Sequence, residues 1–185
     1  LYMKRFICWL ALFSVLFGIH AQQFNLKVYK IGEKGPAGGI VFYDKGRVTE
    51  GWRYLEAAPN DAGPVQWGTY DEDIGGTSSE VGKGKANTQL IISKLRQSGE
   101  INKAAQLCTV LNINRYNDWF LPSKDELNWM YENLKSSGLG GFQNDWYWSS
   151  SQDGNYTVWV QHFRYGSQYF ANKLDICYIR AIRAF

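Results

Sequence analysis

Asp118-Trp119-Phe120-Leu121-Pro122-Ser123-Lys124-Asp125-Glu126-Leu127 holds a strand end, a stop and a helix start in one short stretch. Trp119 to Leu121 reads as a short strand, and Pro122 ends it because proline has no amide hydrogen to give to a ladder. Ser123 followed three residues later by Glu126 is a capping box, in which each side chain accepts the other residue's amide hydrogen. The helix opened there carries Leu127, Met130, Tyr131 and Leu134 inward at helical spacing and terminates at Gly138. Asp125 and Glu126 resemble an acid/base pair, but at a helix N-terminus the cap and the macrodipole account for both carboxylates.

Upstream lie two further helical stretches. Asn87 to Gln97 places Leu90, Ile91 and Leu95 on one side, and Ile101 to Leu111 places Ala104, Ala105, Cys108 and Leu111 at helical spacing. Cys108 on that stripe reads as core, not as a nucleophile. Earlier still, Phe24 to Ile31 alternates like an edge strand, and Ile40-Val41-Phe42-Tyr43 reads as a buried strand. That strand pairs with Trp52 to Ala57 across an Asp44 to Gly51 turn. Gly38-Gly39 lacks the Gly-Lys-Ser/Thr ending of a phosphate loop, so it reads as a tight hairpin entry. Asp61 to Lys85 is dominated by Gly, Asp, Thr and Ser and reads as a surface loop. Its Asp71-Glu72-Asp73 run does not have EF-hand spacing and is assigned no metal. Downstream, Trp146 to Ser149 and Val158 to Phe163 read as strands, the second with Trp159, Gln161 and Phe163 on one face and Val160 and His162 on the other. Tyr178 to Phe185 reads as the last strand. Hairpins, two central helices and short antiparallel strands make an α+β class.

Lys4 and Arg5 precede an apolar run from Phe6 to Phe17, and Ile19-His20-Ala21 offers a small residue before Gln22. This pattern reads as a signal peptide over residues 1–21, since the run is short for a membrane span. The expectation is an exported mature chain of one domain, residues 22–185, in the periplasm, at the cell surface or secreted, with no membrane span. Losing Lys4 and Arg5 leaves eighteen basic residues against seventeen acidic ones, so bulk charge gives no support for nucleic-acid binding. The chain is instead rich in rings and turns, with 8 Trp, 12 Tyr, 10 Phe and 19 Gly. Such rings serve both cores and binding surfaces. Export would permit Cys108 and Cys177 to pair, contributing about 2 to 4 kcal/mol; the rival reading leaves both as free thiols. The leader removes His20, so His162 alone remains, and neither a multi-histidine metal site nor a histidine triad with a second imidazole follows from this chain.

Gly35-Pro36-Ala37-Gly38-Gly39-Ile40-Val41-Phe42-Tyr43-Asp44, Gly51 to Pro59, Asp118 to Leu127, Tyr147-Trp148-Ser149-Ser150-Ser151 and Arg180-Ala181-Ile182-Arg183-Ala184-Phe185 closely resemble the bacterial domain family named after the C-terminal domain of a collagen-like adhesin. The resemblance runs through nearly all of the mature chain in five ordered blocks. It implies a C-type-lectin-like fold of the formylglycine-generating-enzyme type. Kinship of fold does not carry chemistry. Cys108 and Cys177 do not reproduce that enzyme's reactive cysteine arrangement, so no enzymatic activity and no cofactor are expected.

The segment from Tyr147 to Phe185 has a narrower resemblance, to the variable region of target proteins of diversity-generating retroelements. In such regions Asn codons of a template are rewritten at their adenines while neighbouring codons stay fixed. The rewriting never yields Lys, Gln, Glu, Met or Trp, and between Asp153 and Cys177 these types stand only at Trp159, Gln161, Gln168 and Lys173. Together with Phe163 and Gly166 these form a frame. The resemblance makes the filling between them candidate ligand contacts: Asp153, Asn155, Tyr156, Thr157, Val160, His162, Arg164, Tyr165, Ser167, Tyr169, Phe170, Ala171, Asn172, Leu174, Asp175, Ile176 and Cys177. On that basis Cys177 is a product of diversification, which favours free thiols. The function expected is ligand binding by this C-terminal face, to a protein or a glycan. The alternative is a fixed carbohydrate-binding or adhesive module.

Overall fold

The computed structural model describes residues 27–68 and 70–185. The leader read at residues 1–21, and the first part of the strand expected from Phe24, lie outside the described residues.

Two sheets and three helices make up a mixed α/β architecture, the helices falling at the three stretches read as helical in the sequence. Strands β1 (Ile40–Thr49) and β2 (Trp52–Ala57) form the expected hairpin, but the turn is only Glu50-Gly51. Both turn residues have positive φ, 53° and 80°, the backbone that matches the twist of a two-residue hairpin. Strand β8 (Ile182–Ala184) adds to the free edge of β2 and completes a three-stranded sheet. The second sheet has the order β3 (Pro64–Val65), β7 (Cys177–Tyr178), β4 (Trp146–Asp153), β5 (Thr157–His162), β6 (Gln168–Asn172). Its pairings are antiparallel except where β7 runs parallel to β4 at Tyr147 and Tyr178.

Helices α1 (Gly84–Gln97) and α2 (Ala104–Thr109) belong with the five-stranded sheet. Ile91, Leu95, Ala104, Ala105 and Cys108 share a core with Trp67, Trp148, Val158 and Val160. Helix α3 (Lys124–Asn133) builds the other core, where Leu127 and Met130 meet Phe42, Leu55, Tyr147, Phe163 and Ile182. The capping box is present as read: Ser123 Oγ accepts from the Glu126 amide at 3.3 Å and a Glu126 carboxylate oxygen from the Ser123 amide at 2.7 Å. A 3₁₀ turn, Lys135–Ser137, then ends at the left-handed Gly138.

Several sequence expectations fail for identifiable reasons. Lys27 to Ile31 form no strand; the pairing falls later, where the Gly32 amide donates to Val41 and the Val41 amide to Glu33. Helix α1 begins at Gly84 and not at Asn87, and Leu90 is exposed. The buried stripe runs through Gly84, Asn87, Thr88, Ile91 and Leu95, because its two polar members are fully hydrogen-bonded. Helix α2 is shorter than read, leaving Ile101 exposed outside it. The strand expected at Trp119 to Leu121 reduces to a bridge between Phe120 and Ile182. The final strand splits in two. Ile179 to Ala181 cross from one sheet to the other, held by backbone bonds to Gly63, Ala62 and Ala58. No helix among the described residues is long and apolar enough to cross a membrane.

Candidate functional site

Strands β5 and β6 and the turns around them carry the proposed contacts, and their geometry separates frame from filling. Alternation along β5 sends Val158 and Val160 into the first core, and Gln161 and, just beyond it, Phe163 toward α3. Each frame residue has a packing role. Gln161 is fully buried, donating to Asn128 of α3 at 2.8 Å and to the Gly166 carbonyl at 3.1 Å. Gln168 donates to the Lys124 carbonyl at 2.9 Å. Gly166 adopts φ +77° with the Tyr131 ring against it, so a side chain there would meet both strain and a wall. The Trp159 ring lies under the Lys124 ammonium at 3.5 Å. Lys173 is fully buried, donates to the Glu72 carbonyl at 2.5 Å and lies 5.2 Å from the Trp67 ring centroid. Burial pushes its ammonium down to about 8.

The filling behaves differently. Asn155, Tyr156, Arg164, Tyr165, Ser167, Tyr169, Phe170, Leu174, Asp175 and Ile176 are exposed, and Asp153, Thr157, His162, Ala171 and Asn172 are half-buried. Val160 and Cys177 are corrections. They are 3% and 6% exposed, because Val160 lies on the core-facing side of β5 and Cys177 in the interior strand β7. Cys108 and Cys177 are free thiols, both in the first core, and burial pushes the Cys177 thiol up to about 12. The exposed rings associate with one another: Tyr169 stacks on Phe170 at 4.6 Å, Phe170 meets the edge of Trp159 at 5.6 Å, and His162 lies between Trp146 and Tyr165, 4.8 Å from each. Six of the fifteen exposed large hydrophobic residues described lie between Tyr156 and Ile176. Scattered single hydrophobics are ordinary, and this concentration makes the segment the candidate site.

A second contributor to this surface escaped the sequence reading. Tyr70, from the Asp61–Lys85 loop, lies 5.1 Å from Tyr156. The loop is fastened to the frame by Gln152, which donates to Asp73 at 2.8 Å and accepts from the Ile74 amide at 3.0 Å, and by Lys173. Among the described residues no group of three or more His, Cys, Asp or Glu is placed to hold a metal ion.

Glu126 does more than cap α3. Its fully buried carboxylate also accepts from the Gly82 amide at 2.8 Å, and burial raises it to about 7 despite the hydrogen bonds that oppose the shift. A raised carboxylate means the folded state holds its proton to higher pH than the unfolded chain. Its contribution to stability is therefore full below the usual glutamate range and lost as pH rises through about 7. The expected result is a thermal midpoint that falls across this window in the wild type, and less so in Glu126→Gln; parallel pH profiles for the two proteins would refute it.

No curated protein sequence matches the chain. Among solved structures, a fimbrial protein from Bacteroides ovatus superposes with a TM-score of 0.58 at 12% identity, over 82% of this chain and 45% of that one. The chain thus spans less than half of that protein, and at this identity the likeness is one of fold. The model of the Lcl C-terminal domain family matches residues 64–183, from β3 through most of β8, and the chain belongs to that family.

Proposed function

We propose that the protein is an exported, non-enzymatic binding module that presents the filling between Asp153 and Ile176 as a diversified ligand surface on a C-type-lectin-like scaffold. Residues 1–21 would serve as its leader and residues 22–185 as a single domain, with the binding segment in 147–185. The observation that carries this reading is the division just described. Frame residues are occupied in packing, while ten filling positions are exposed and rich in Tyr, Phe and Arg, types that supply rigid contact area in evolved binding sites. Membership of an adhesin-derived family supports a role in attachment at the cell surface. It equally suits the second reading, a fixed adhesive module.

Sequencing the gene and its flanks in several isolates tests the first reading. A near-repeat of the C-terminal coding segment that differs at adenines, beside a reverse transcriptase, is expected, with isolates varying mainly at the filling positions. Variation spread evenly along the chain, or none, would favour the fixed module. A protein-level check needs no ligand. Replacing Tyr165, Tyr169 and Ile176 together with Ser is expected to change stability by about 1.5 kcal/mol or less, since surface substitutions usually stay within about 0.5 kcal/mol each. A cooperative loss of several kcal/mol in chemical denaturation would place these side chains in the frame instead.

A further inference from the structure

Two adjoining concavities, of about 280 and 490 Å³, share Ile92, Arg96, Thr109 and Val110 and form one groove between α1 and α2, closed at one end by the turn that joins the helices. Ile92 lies half-buried in it, with Ile101 and Val110 at its sides. These two are each 73% exposed, more than any other large hydrophobic residue described. Both are β-branched, so they are stiff and lose little freedom when something covers them. From α1 the groove takes Gln89, Ile92, Ser93 and Arg96, the i, i+3, i+4, i+7 spacing of one helix face, while Ile91 and Leu95 on the neighbouring face fill the first core.

The groove is held in shape by its own hydrogen bonds. Gln106 accepts from the Lys103 amide at 3.0 Å and donates to the Glu100 carbonyl at 2.8 Å, and the Thr109 hydroxyl donates to the Gln106 carbonyl at 3.0 Å. The Ala104 amide donates to the Gln66 carbonyl at 3.1 Å and ties the start of α2 to the chain beyond β3. Arg96 is the one charged residue of the lining. The cations near it are paired, Lys94 with Glu72 at 3.3 Å and Lys103 with Glu100 at 3.2 Å, but Arg96 makes no ion pair among the described residues.

Charge and backbone chemistry select the occupant. A second copy meeting groove to groove would bring Arg96 against a lining without a carboxylate. An extended peptide finds no ladder to join, because both walls are helices whose backbone groups bond internally. A lipid surface calls for several basic residues, and the groove has one. A helix satisfies its own backbone and needs only apolar residues and a carboxylate on the same face.

We propose that the α1–α2 groove receives an amphipathic helix of a partner protein, with aliphatic residues one turn apart packing among Ile92, Ile101 and Val110 and an Asp or Glu pairing with Arg96. The groove shares no residue with the Tyr156–Ile176 surface and does not rest on its diversification. The probe is a displayed library of helical peptides about four turns long, randomised on one face and selected on the full chain, with the best binder synthesised for fluorescence anisotropy. Recovered faces are expected to combine aliphatic residues with an acidic one. Ile101→Ser/Val110→Ser should weaken that peptide at least about tenfold, as loss of interface anchors does. Arg96→Glu should weaken it comparably, and exchanging the peptide's acidic residue for Lys should restore binding to this variant. All three side chains are exposed, so thermal midpoints should stay close to that of the wild type. No binder, recovered faces without an acidic residue, or affinity indifferent to both variants would each overturn the proposal. So would a dimer in sedimentation that Ile101→Ser/Val110→Ser dissociates, which makes a second copy the occupant. Pelleting with equimolar phosphatidylcholine/phosphatidylglycerol vesicles that the same variant abolishes would overturn it in favour of a lipid surface.

Discussion

Arg180→Ala is expected to lower folding stability by about 3–5 kcal/mol, the cost of removing one partner from a buried ion pair. Arg180 is 2% exposed and sits in the Ile179–Ala181 crossing between the two sheets. Its Nε donates to Asp61 at 2.7 Å, and one terminal nitrogen donates to the carbonyls of Ala58 at 3.1 Å and Gly140 at 2.8 Å. Its guanidinium also lies 4.1 Å from the Phe142 ring centroid. Truncation leaves Asp61 with the Tyr147 hydroxyl as its remaining side-chain partner and strips both carbonyls of this donor. Unfavourable burial of those groups makes up most of the loss. For a domain of this size the thermal midpoint should fall by about 10 °C. Asp61→Asn should show strong coupling to Arg180→Ala in a double-mutant cycle; additive effects would mean that the pair is not what holds the crossing.

Trp67→Ala should cost about as much, roughly 3–5 kcal/mol for a large aromatic removed from a core. Trp67 is fully buried, donates from its indole nitrogen to the Ser149 carbonyl at 2.9 Å, and lies beside the Lys173 ammonium. Its amide also donates to the Lys173 carbonyl. Loss of the ring removes the main apolar anchor of the Asp61–Lys85 loop, so early proteolytic cleavage there should accompany the drop in stability. Trp67→Phe should restore packing but leave Ser149 without its donor and fall between the two. A variant as stable as wild type, with an uncut loop, would show that Gln152 and Lys173 suffice to hold it.

What the sequence disclosed and what it hid follow one physical rule. Signals carried within a few residues were legible: the Ser123/Glu126 cap, the β1–β2 hairpin, and the alternation of Trp159, Gln161 and Phe163 against Val160. Partners far apart along the chain were not. Glu126 meets Gly82 across 44 residues, and Arg180 meets Asp61 across 119, so neither could be read from local pattern. Trp67 was hidden in a polar stretch that reads as solvated. Strand β6 was hidden because Tyr169 and Phe170 are adjacent and both exposed, which erases the period of two. Among the candidate contacts, the exposed ones followed from the frame. Val160 and Cys177 did not, because their burial depends on which side of β5 meets the helices and on β7 lying inside its sheet. Tyr70 was missed because only the folded chain brings it to Tyr156.

The crossing at Ile179–Ala181 also bears on how quickly the native state can be reached. Strands β7 and β8, on either side of it, are the neighbours on which β3 and the outer edge of β2 depend, so neither sheet is complete without residues 177–184. Both closures join positions more than a hundred residues apart, which raises contact order and slows the approach to the native state. Folding therefore waits on the two strands that follow the filling. Until they dock, the edges of both sheets stay open to wrong pairing, and substitutions that delay this step would show in refolding rate and aggregation before they show in equilibrium stability.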